Sequence, residues 1–422
     1  MHNEVELDDE PEVETNNQSW RDAFSRMMPF LQGDLCTILS GVPEGYEEAM
    51  LIHTLSMFGA MCFSRVRVKY LDGKLHAPNI QLVVEAPWGS GKEKFNTLFN
   101  SLFADVIAES QEKVNNEENS IIQFLGVGMS TAKFKSILAH NREVHFYMFA
   151  SEIRSIIDDL RKGNGLSYEH LRLAFDNGTV FQDKMNGAPK GHFPVCFNYT
   201  FTGTPNDVQQ FIGKELEGGT ASRICWAEIP EAGRELENLE LSSPEEMDCL
   251  KEKIKTWRQK YSFTTCDGKD EPADITEIDL SFLHQPLKKW LVEQYDHGKK
   301  DGNPTRIQAR ARIAAIAFHC AIVIFMMLDC PSAKLFEQRN YITRLTLYIA
   351  DYCMERFLFK FSQENNRNIL KESNLAKANI NFTSNDVLEW KRRHEAGEGW
   401  GTIAKVYGTT KDVVRGRVNR VA

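Results

Sequence analysis

The sequence lacks the cysteine and histidine patterns that mark a disulfide framework or a structural metal site. Its nine cysteines are scattered from Cys36 to Cys353, without a CxxC pair and without a cluster that combines histidine and cysteine. Scattered cysteines of this kind are typical of reduced thiols in a cytosolic protein. The sequence therefore predicts neither disulfides nor a zinc cage, and it favours a cytoplasmic location.

The sequence also lacks a segment suited to a signal peptide or a membrane span. Residues 1–18 contain seven Asp or Glu and no Lys or Arg, so we expect an acidic, solvated tail there. The longest apolar run, from Ile313 to Leu328, contains His319 and is short for a membrane span. We interpret this run as a buried helix with His319 in the core, and we expect no membrane association.

The sequence has fewer positively charged than negatively charged residues. Lys and Arg number 50 against 59 Asp and Glu, which gives a net charge of −9. This balance argues against a protein that covers nucleic acid with its whole surface, so any such contact needs a local basic patch. The 422 residues, 42% hydrophobic and 26% charged, are otherwise typical of a soluble globular protein with two or three domains.

Between Pro78 and Phe95 the sequence predicts a strand, a loop of small residues and the start of a helix, in that order. The apolar run IQLVVEA predicts a buried strand, and apolar residues at helical spacing begin after the loop. Small residues at the join let backbone N–H groups turn toward a phosphate, and Lys92 reaches the outer phosphates. The predicted nucleotide-binding residues of this loop are Pro87, Gly89, Ser90, Gly91, Lys92 and Glu93.

The loop departs from the phosphate-loop pattern GxxxxGK[ST] at two positions. Ala86 stands where the first glycine is usual, and Glu93 stands where the pattern has the Ser or Thr that binds Mg²⁺. The Glu93 carboxylate could contact the metal directly or through water, or it could repel the triphosphate. An ordinary turn from strand to helix is the alternative for the whole loop.

A hairpin is predicted just upstream of the loop. Residues alternate from Arg65 to Tyr70, and a turn follows at Asp72 and Gly73. The second strand of this hairpin is predicted to be the one that leads into the loop.

A second apolar run, VHFYMFA, ends just before Ser151 and Glu152. Ligands of open α/β sheets bind at the carboxyl ends of strands, and a P-loop ATPase needs a carboxylate there to act on the attacking water. We predict Glu152 as a catalytic residue, and a helix-start residue favoured by the helix dipole is the alternative. Ser151 occupies the position of the Asp that usually holds Mg²⁺, so Glu93 and Ser151 are the predicted metal-contacting residues.

A turn with the sequence TGTPN follows a third predicted strand. It lies where a polar side chain would meet the γ-phosphate, although such a turn can equally be only a turn. Its candidate residues are Thr202, Thr204 and Asn206.

Arginines supply two further candidates. Arg223 precedes a fourth apolar run and is predicted to be a catalytic arginine for a neighbouring subunit's nucleotide, with a structural ion pair as the alternative. Arg306, Arg310 and Arg312 lie at the start of the long apolar helix. We assign Arg312 as the residue that reports bound nucleotide from a helical lid, although most arginines near a helix start are simply solvated.

The last forty residues predict a helix-turn-helix unit. One helix ends near Ala396, a second contains Ile403 and Ala404, and a third follows a turn at Gly408. The third helix would place basic residues in the major groove of DNA, and a helical cap with a basic surface is the alternative. The predicted DNA-binding residues are Lys411, Arg415, Arg417 and Arg420.

These motifs together resemble a known family. APWGSGK, FASEIRSII, LRLAFDNG, FTGTP and ASRICWAEIP, spread over residues 47–361, are similar to an uncharacterised P-loop family of bacterial mobile elements and prophages. Their arrangement also resembles AAA+ helicases of the minichromosome-maintenance kind, and the last forty residues resemble a resolvase-like helix-turn-helix. The resemblance implies ATP and Mg²⁺ as cofactors, a homo-oligomeric ring such as a hexamer, and a primase or relaxase of the same element as a candidate partner.

The predicted fold class is α/β, with a P-loop NTPase core, a helical C-terminal lid and a small all-α helix-turn-helix domain. The predicted domains are an acidic tail (1–18), N-terminal helices with the ATPase core (19–235), a charged connector with the lid (236–380) and the DNA-binding domain (381–422). The leading functional hypothesis is a helicase-like ATPase that acts on DNA in replication or mobilisation. A nucleotide-responsive DNA-binding regulator and a non-hydrolysing scaffold are the alternatives.

Overall fold

The computed structural model describes residues 33–115, 121–141, 144–162, 165–182, 190–213, 219–229, 239, 243–266, 269–328, 336–378, 384–407 and 411–421. The predicted acidic tail therefore lies outside the described residues. The chain forms two compact units, the first from Met1 to Phe359 and the second from Lys360 to Ala422. The predicted domain boundaries stay predictions.

The strands of the described residues all belong to the first unit. They are β1 (Val66–Lys69), β2 (Leu75–His76), β3 (Gln81–Glu85), β4 (Phe124–Leu125), β5 (Phe146–Ala150), β6 (Thr179–Gln182), β7 (Gly191–Pro194), β8 (Phe197–Gly203), β9 (Cys225–Glu228), β10 (Phe263–Cys266), β11 (Lys269–Pro272) and β12 (Thr276–Ile278).

The helices follow the same chain order. They are α1 (Gly33–Leu39), α2 (Glu47–Met61), α3 (Glu93–Asn115), α4 (Thr131–His140), α5 (Arg154–Lys162), α6 (Tyr168–Asp176), α7 (Pro205–Ile212), α8 (Pro244–Tyr261), α9 (His284–Lys300), α10 (Pro304–Met327), α11 (Phe336–Ala378), α12 (Ser384–Glu395), α13 (Trp400–Val406) and α14 (Lys411–Val421), with short 3₁₀ turns at Ala221–Arg223 and Ser281–Leu283.

The central sheet has five parallel strands in the order β4-β5-β8-β3-β9. All seven residues of β8 are buried, as expected for a strand covered on both faces. The predicted α/β class with a central sheet flanked by helices is therefore confirmed, and the structure shows that the sheet is parallel.

Helix α2 lies between the sheet and helix α10. It contacts β8, β5 and β3 on one side and α10 on the other, which explains why fourteen of its fifteen residues are buried. Gly59 is needed for this close packing, because a Cβ there would lie 3.0 Å from the Pro78 carbonyl oxygen and 3.2 Å from Val323. The long apolar run is thus a core helix, and 83% of its most apolar window is buried.

The prediction of the hairpin was wrong about its second strand. β1 pairs antiparallel with the short β2, and Gly73 has a φ of 80° in the turn between them. The strand that enters the loop is a separate one, β3, in the central sheet. Pro78 lies between β2 and β3, and proline has no N–H with which to continue the ladder.

Segments from the predicted connector also belong to the first unit. β12 pairs parallel with β1, and Tyr352 on α11 donates a hydrogen bond to the Trp226 carbonyl in β9 at 3.2 Å. β12 and the part of α11 around Tyr352 therefore pack against strands of the first unit.

Buried histidines tie the sheet to the helices around it. His319 Nδ1 lies 2.8 Å from the Asn79 carbonyl oxygen, and His145 Nε2 lies 2.6 Å from the Asn79 side-chain oxygen. His53 Nδ1 lies 3.0 Å from the Thr200 hydroxyl. Burial lowers the pKa of each of these three imidazoles from 6.5 to about 3, so all three are neutral in the folded protein. His319 is a core histidine, as predicted.

We predict that the free energy of unfolding falls as pH decreases below about 6.5. The folded pKa of these histidines lies below the unfolded value, so the unfolded chain binds three protons that the folded chain does not bind until about pH 3. The three sites together should contribute a slope approaching about 4 kcal/mol per pH unit. Urea unfolding followed by circular dichroism between pH 7.5 and 4.5 measures it.

His319→Gln should lower this slope by about a third, since one of three protons is removed. His297→Gln, at an exposed position of α9, is the matched control and should leave it unchanged. Equal slopes for the wild-type protein and His319→Gln would show that His319 is not a source of acid sensitivity.

Candidate functional site

The carboxyl ends of β3, β5 and β8 meet at one edge of the sheet. Glu85 of β3 is level with Gly203 of β8, and Ala150 of β5 is level with Phe201. The loop after β3, the pair Ser151–Glu152 after β5, and the turn after β8 must therefore start side by side. Ligand sites of open parallel sheets form at this edge.

The loop after β3 is turned by two glycines. Gly89 has a φ of 72° and Gly91 a φ of 70°, a conformation that L-residues with a Cβ rarely adopt. The Ser90 hydroxyl donates to the Pro87 carbonyl at 2.8 Å, and the buried Tyr46 hydroxyl donates to the Ser90 carbonyl. Left-handed residues of this kind turn successive N–H groups to one side, where an anion can bind.

Lys92, at the end of the loop, contacts Glu152. Its Nζ lies 3.0 Å from Glu152 Oε1, and the two side chains are 15% and 58% exposed. An ion pair with so exposed a carboxylate stabilises the fold little. Lys92 can therefore exchange this carboxylate for a phosphate with little loss of folding stability. The contact also brings together two residues that were predicted from separate motifs.

The predicted metal-contacting residues flank this ion pair. Glu93 is the first residue of α3 and is exposed, and its Oε1 accepts a hydrogen bond from Asn96 Nδ2 at 2.6 Å. Ser151 is also exposed, and its carbonyl accepts a hydrogen bond from the Thr202 hydroxyl at 2.7 Å. Each member of the Lys92–Glu152 ion pair therefore has a chain neighbour with an exposed side-chain oxygen.

The three residues of the turn after β8 have different environments. Thr202 is fully buried and its hydroxyl is used by Ser151, so it positions the end of β5. Thr204 caps α7, accepting from the Asp207 N–H at 3.3 Å. Asn206 is exposed, and in the described part of the chain no hydrogen bond of its side chain is seen. Asn206 is thus the member of the three that is open to a ligand.

Sequence reasoning missed a polar network at this edge. Arg154, two residues after Glu152, contacts Asp207 at 3.3 Å and Gln210 at 3.1 Å. An arginine directly after the predicted catalytic segment was the available signal. The network joins α5 to α7 and holds both segments that follow the strands of the site.

Arg223 and Arg312 lie near the amino-terminal ends of the strands, whereas Lys92 and Glu152 follow the carboxyl ends. Arg223 precedes β9, whose Cys225 pairs with Leu82 near the start of β3, and Arg312 donates to the Ser222 hydroxyl at 2.8 Å. Neither arginine is therefore brought to the Lys92 of its own chain. Arg223 forms a bidentate ion pair with the Asp176 carboxylate, in which the shortest nitrogen–oxygen distance is 2.7 Å.

These two arginines also affect each other. Burial lowers the pKa of the Arg312 guanidinium, and the nearby charge of Arg223 lowers it further. The cluster has the character of the structural ion pair that was the alternative for Arg223.

Three helices of the second unit surround a small core. α12, α13 and α14 pack together through Trp390, which is fully buried, and through Val387, Ile403, Ala404, Val414 and Val418. The predicted three-helix arrangement, with its second helix at Ile403 and its third from Lys411, is confirmed; Gly408 lies outside the described residues.

The basic residues of α14 are not equivalent. Lys411 and Arg415 are exposed and lie one helical turn apart, whereas Arg417 is half-buried on the other flank of the buried Val414 and Val418. The Arg420 side chain lies outside the described residues. Elsewhere in the unit, Arg392 pairs with Glu389 and Arg393 with Glu398. Lys411 and Arg415 therefore form the exposed basic face of α14.

Comparison with models of protein families finds none that matches this chain, and comparison with curated proteins finds no similar sequence. The family resemblance carried by the motifs therefore stays a hypothesis.

Lys92→Ala should weaken nucleotide binding, because the loop loses its one mobile cation aimed at the outer phosphates. A hydrogen bond to a charged group contributes about 1.5–3 kcal/mol, so the loss should be roughly 10- to 100-fold in Kd. Calorimetry with a non-hydrolysable ATP analogue measures it, and Lys300→Ala, an exposed lysine of α9, is the control. An unchanged Kd for Lys92→Ala would place the nucleotide site elsewhere.

The double variant Lys411→Ala/Arg415→Ala should bind duplex DNA more weakly than the wild-type protein. Removing a side chain that binds a phosphate should flatten the salt dependence of log K by roughly 0.9, because fewer counterions are released. Titrations on one duplex at several salt concentrations test this, with Arg392→Ala as a control whose guanidinium is already paired. Matching slopes for all three proteins would assign the helical unit a role other than DNA binding.

Proposed function

We propose that this protein is a DNA-associated ATPase, helicase-like in its mechanism, that serves DNA replication or mobilisation of a mobile element or prophage. The observation that carries the proposal is the 3.0 Å contact between Lys92 and Glu152, at the edge of the sheet where nucleotides bind. A structural turn needs neither a lysine nor a carboxylate at this point. A P-loop ATPase needs both.

The loop binds the phosphates in this mechanism. Its N–H groups and the amino terminus of α3 attract the anion, and Lys92 exchanges Glu152 for the outer phosphates. Glu152 is thereby released beside the terminal phosphate, where its carboxylate orients a water molecule and accepts its proton. Asn206, exposed at the neighbouring turn, is the residue available to contact the terminal phosphate.

Mg²⁺ suits the donors at this site. The described residues contain no group of three or more His, Cys, Asp or Glu that could hold a metal ion. Mg²⁺ bound with a nucleotide needs no such cage, since it keeps several waters and takes one or two carboxylates plus phosphate oxygens. Glu93 and Ser151 would hold it, and the ion would neutralise charge on the outer phosphates.

The position of Arg223 favours action between subunits. It lies at the edge of the sheet opposite its own Lys92, so it would serve the nucleotide of a neighbouring copy in a homo-oligomeric ring, for example a hexamer. Arg312, beside it, would then sense that same neighbouring nucleotide. The basic face of α14 would bind DNA, and a primase or relaxase of the same element is the candidate protein partner in the cytoplasm.

A nucleotide-responsive DNA-binding regulator is the second candidate. It is favoured by the replacement of the two usual Mg²⁺-contacting residues by Glu93 and Ser151, because a site altered in this way would bind nucleotide without hydrolysing it rapidly. A scaffold that binds no nucleotide is the third, and a wild-type protein with no measurable nucleotide affinity would favour it.

Glu152→Gln should keep nucleotide affinity and lose turnover, because the amide fills the same space but accepts no proton. Phosphate release from ATP, with no DNA and with single- or double-stranded DNA, measures turnover; a loss of about 10²-fold or more is expected. Glu277→Gln, an exposed residue of β12, is the control. Turnover equal to wild type in Glu152→Gln would leave Glu152 as a helix-start residue, and binding without turnover in the wild-type protein would favour the regulator.

A further inference from the structure

The two departures from the phosphate-loop pattern are complementary. A P-loop ATPase holds Mg²⁺ with a hydroxyl at the end of the loop and a carboxylate at the end of a neighbouring strand. In this chain the carboxylate, Glu93, stands at the end of the loop, and the hydroxyl, Ser151, stands at the end of β5. The same two donor types are present, with their elements exchanged.

The structure brings these two elements together. Lys92 Nζ and Glu152 Oε1 are 3.0 Å apart, and Glu93 and Ser151 are the chain neighbours of those two residues. The backbone around Ser151 is fixed, because its carbonyl accepts from the Thr202 hydroxyl at 2.7 Å and the next residue but one donates its N–H to the Thr202 carbonyl at 2.7 Å. Ser151 is therefore held at the site.

Each donor has an atom available for an ion. Asn96 engages only Oε1 of Glu93, so Oε2 is left for another partner. The Ser151 hydroxyl has no hydrogen bond in the described part of the chain, and both residues are exposed at the edge where the loop opens. One carboxylate and one hydroxyl, completed by water and phosphate oxygens, suit Mg²⁺.

We propose that Glu93 and Ser151 form an exchanged metal-ligand pair: Glu93 contacts the Mg²⁺ of the nucleotide complex from the loop, and Ser151 supplies the hydroxyl from β5. This inference rests on the proposed nucleotide site. It explains how the chain keeps one negative charge near the ion although both usual residues are replaced. A carboxylate moved from position 93 to position 151 should therefore restore what its removal from position 93 abolishes.

The test compares Glu93→Thr with the double variant Glu93→Thr/Ser151→Asp. Calorimetry gives the affinity for a non-hydrolysable ATP analogue with Mg²⁺ and with EDTA, and the ratio of the two affinities reports the contribution of the ion without any turnover. Glu93→Thr should lower this ratio by about tenfold, and the double variant should recover most of it. The control is Glu93→Thr/Ser155→Asp, which adds the same charge at the second residue of α5, where the Ser155 hydroxyl donates to the Glu152 carbonyl.

Two results would overturn the proposal. If Glu93→Thr keeps the wild-type ratio of affinities, Glu93 is only a helix-start residue. If the ratio recovers in neither double variant, or equally in both, Ser151 does not face the ion. Thermal unfolding of each variant checks that it folds. A wild-type protein that binds the analogue with Mg²⁺ but does not hydrolyse ATP would refute the ATPase and leave the exchanged pair standing, whereas no binding at all would refute both.

Discussion

Hydrogen bonding of β8 to β3 on one side and to β5 on the other is the constraint on which the candidate site depends. The registers of these two pairings make the three carboxyl ends level, so that the loop, Glu152 and the turn at Asn206 start from one edge. The 3.0 Å contact between Lys92 and Glu152 follows from that alignment. A slip of either register by one residue would turn the side chains of the strand to the other face of the sheet and separate the two residues.

The alignment is maintained by the burial of the sheet on both faces. α2 is buried on all sides because it packs between the sheet and α10, and neutral His53 and His319 satisfy polar atoms where these layers meet. The scarcity of positive charge then has a local consequence. Lys92 of the loop and the exposed basic face of α14 lie in separate units, so the nucleotide contact and the DNA contact that we propose would use different parts of the chain.

Local patterns predicted the loop, the strand before Glu152 and the three C-terminal helices, since each depends on neighbouring residues and on apolar spacing. The division between β2 and β3 was not predicted, because β3 joins the central sheet through β8 and β9, which are distant in the sequence, whereas β2 pairs with the neighbouring β1. The use of the Thr202 hydroxyl by Ser151, the Arg154–Asp207 contact and the position of Arg312 beside Arg223 also depend on pairing across the fold. Sequence spacing contains no record of such contacts.

A structure of the full chain with Mg²⁺ and a non-hydrolysable ATP analogue tests the central claim most directly. We expect the outer phosphates to lie against the N–H groups of residues 89–92, with Lys92 Nζ moved from Glu152 to the terminal phosphate and Glu152 facing a water molecule. An empty loop in which the Lys92–Glu152 contact keeps its 3.0 Å distance, at saturating analogue, would contradict it.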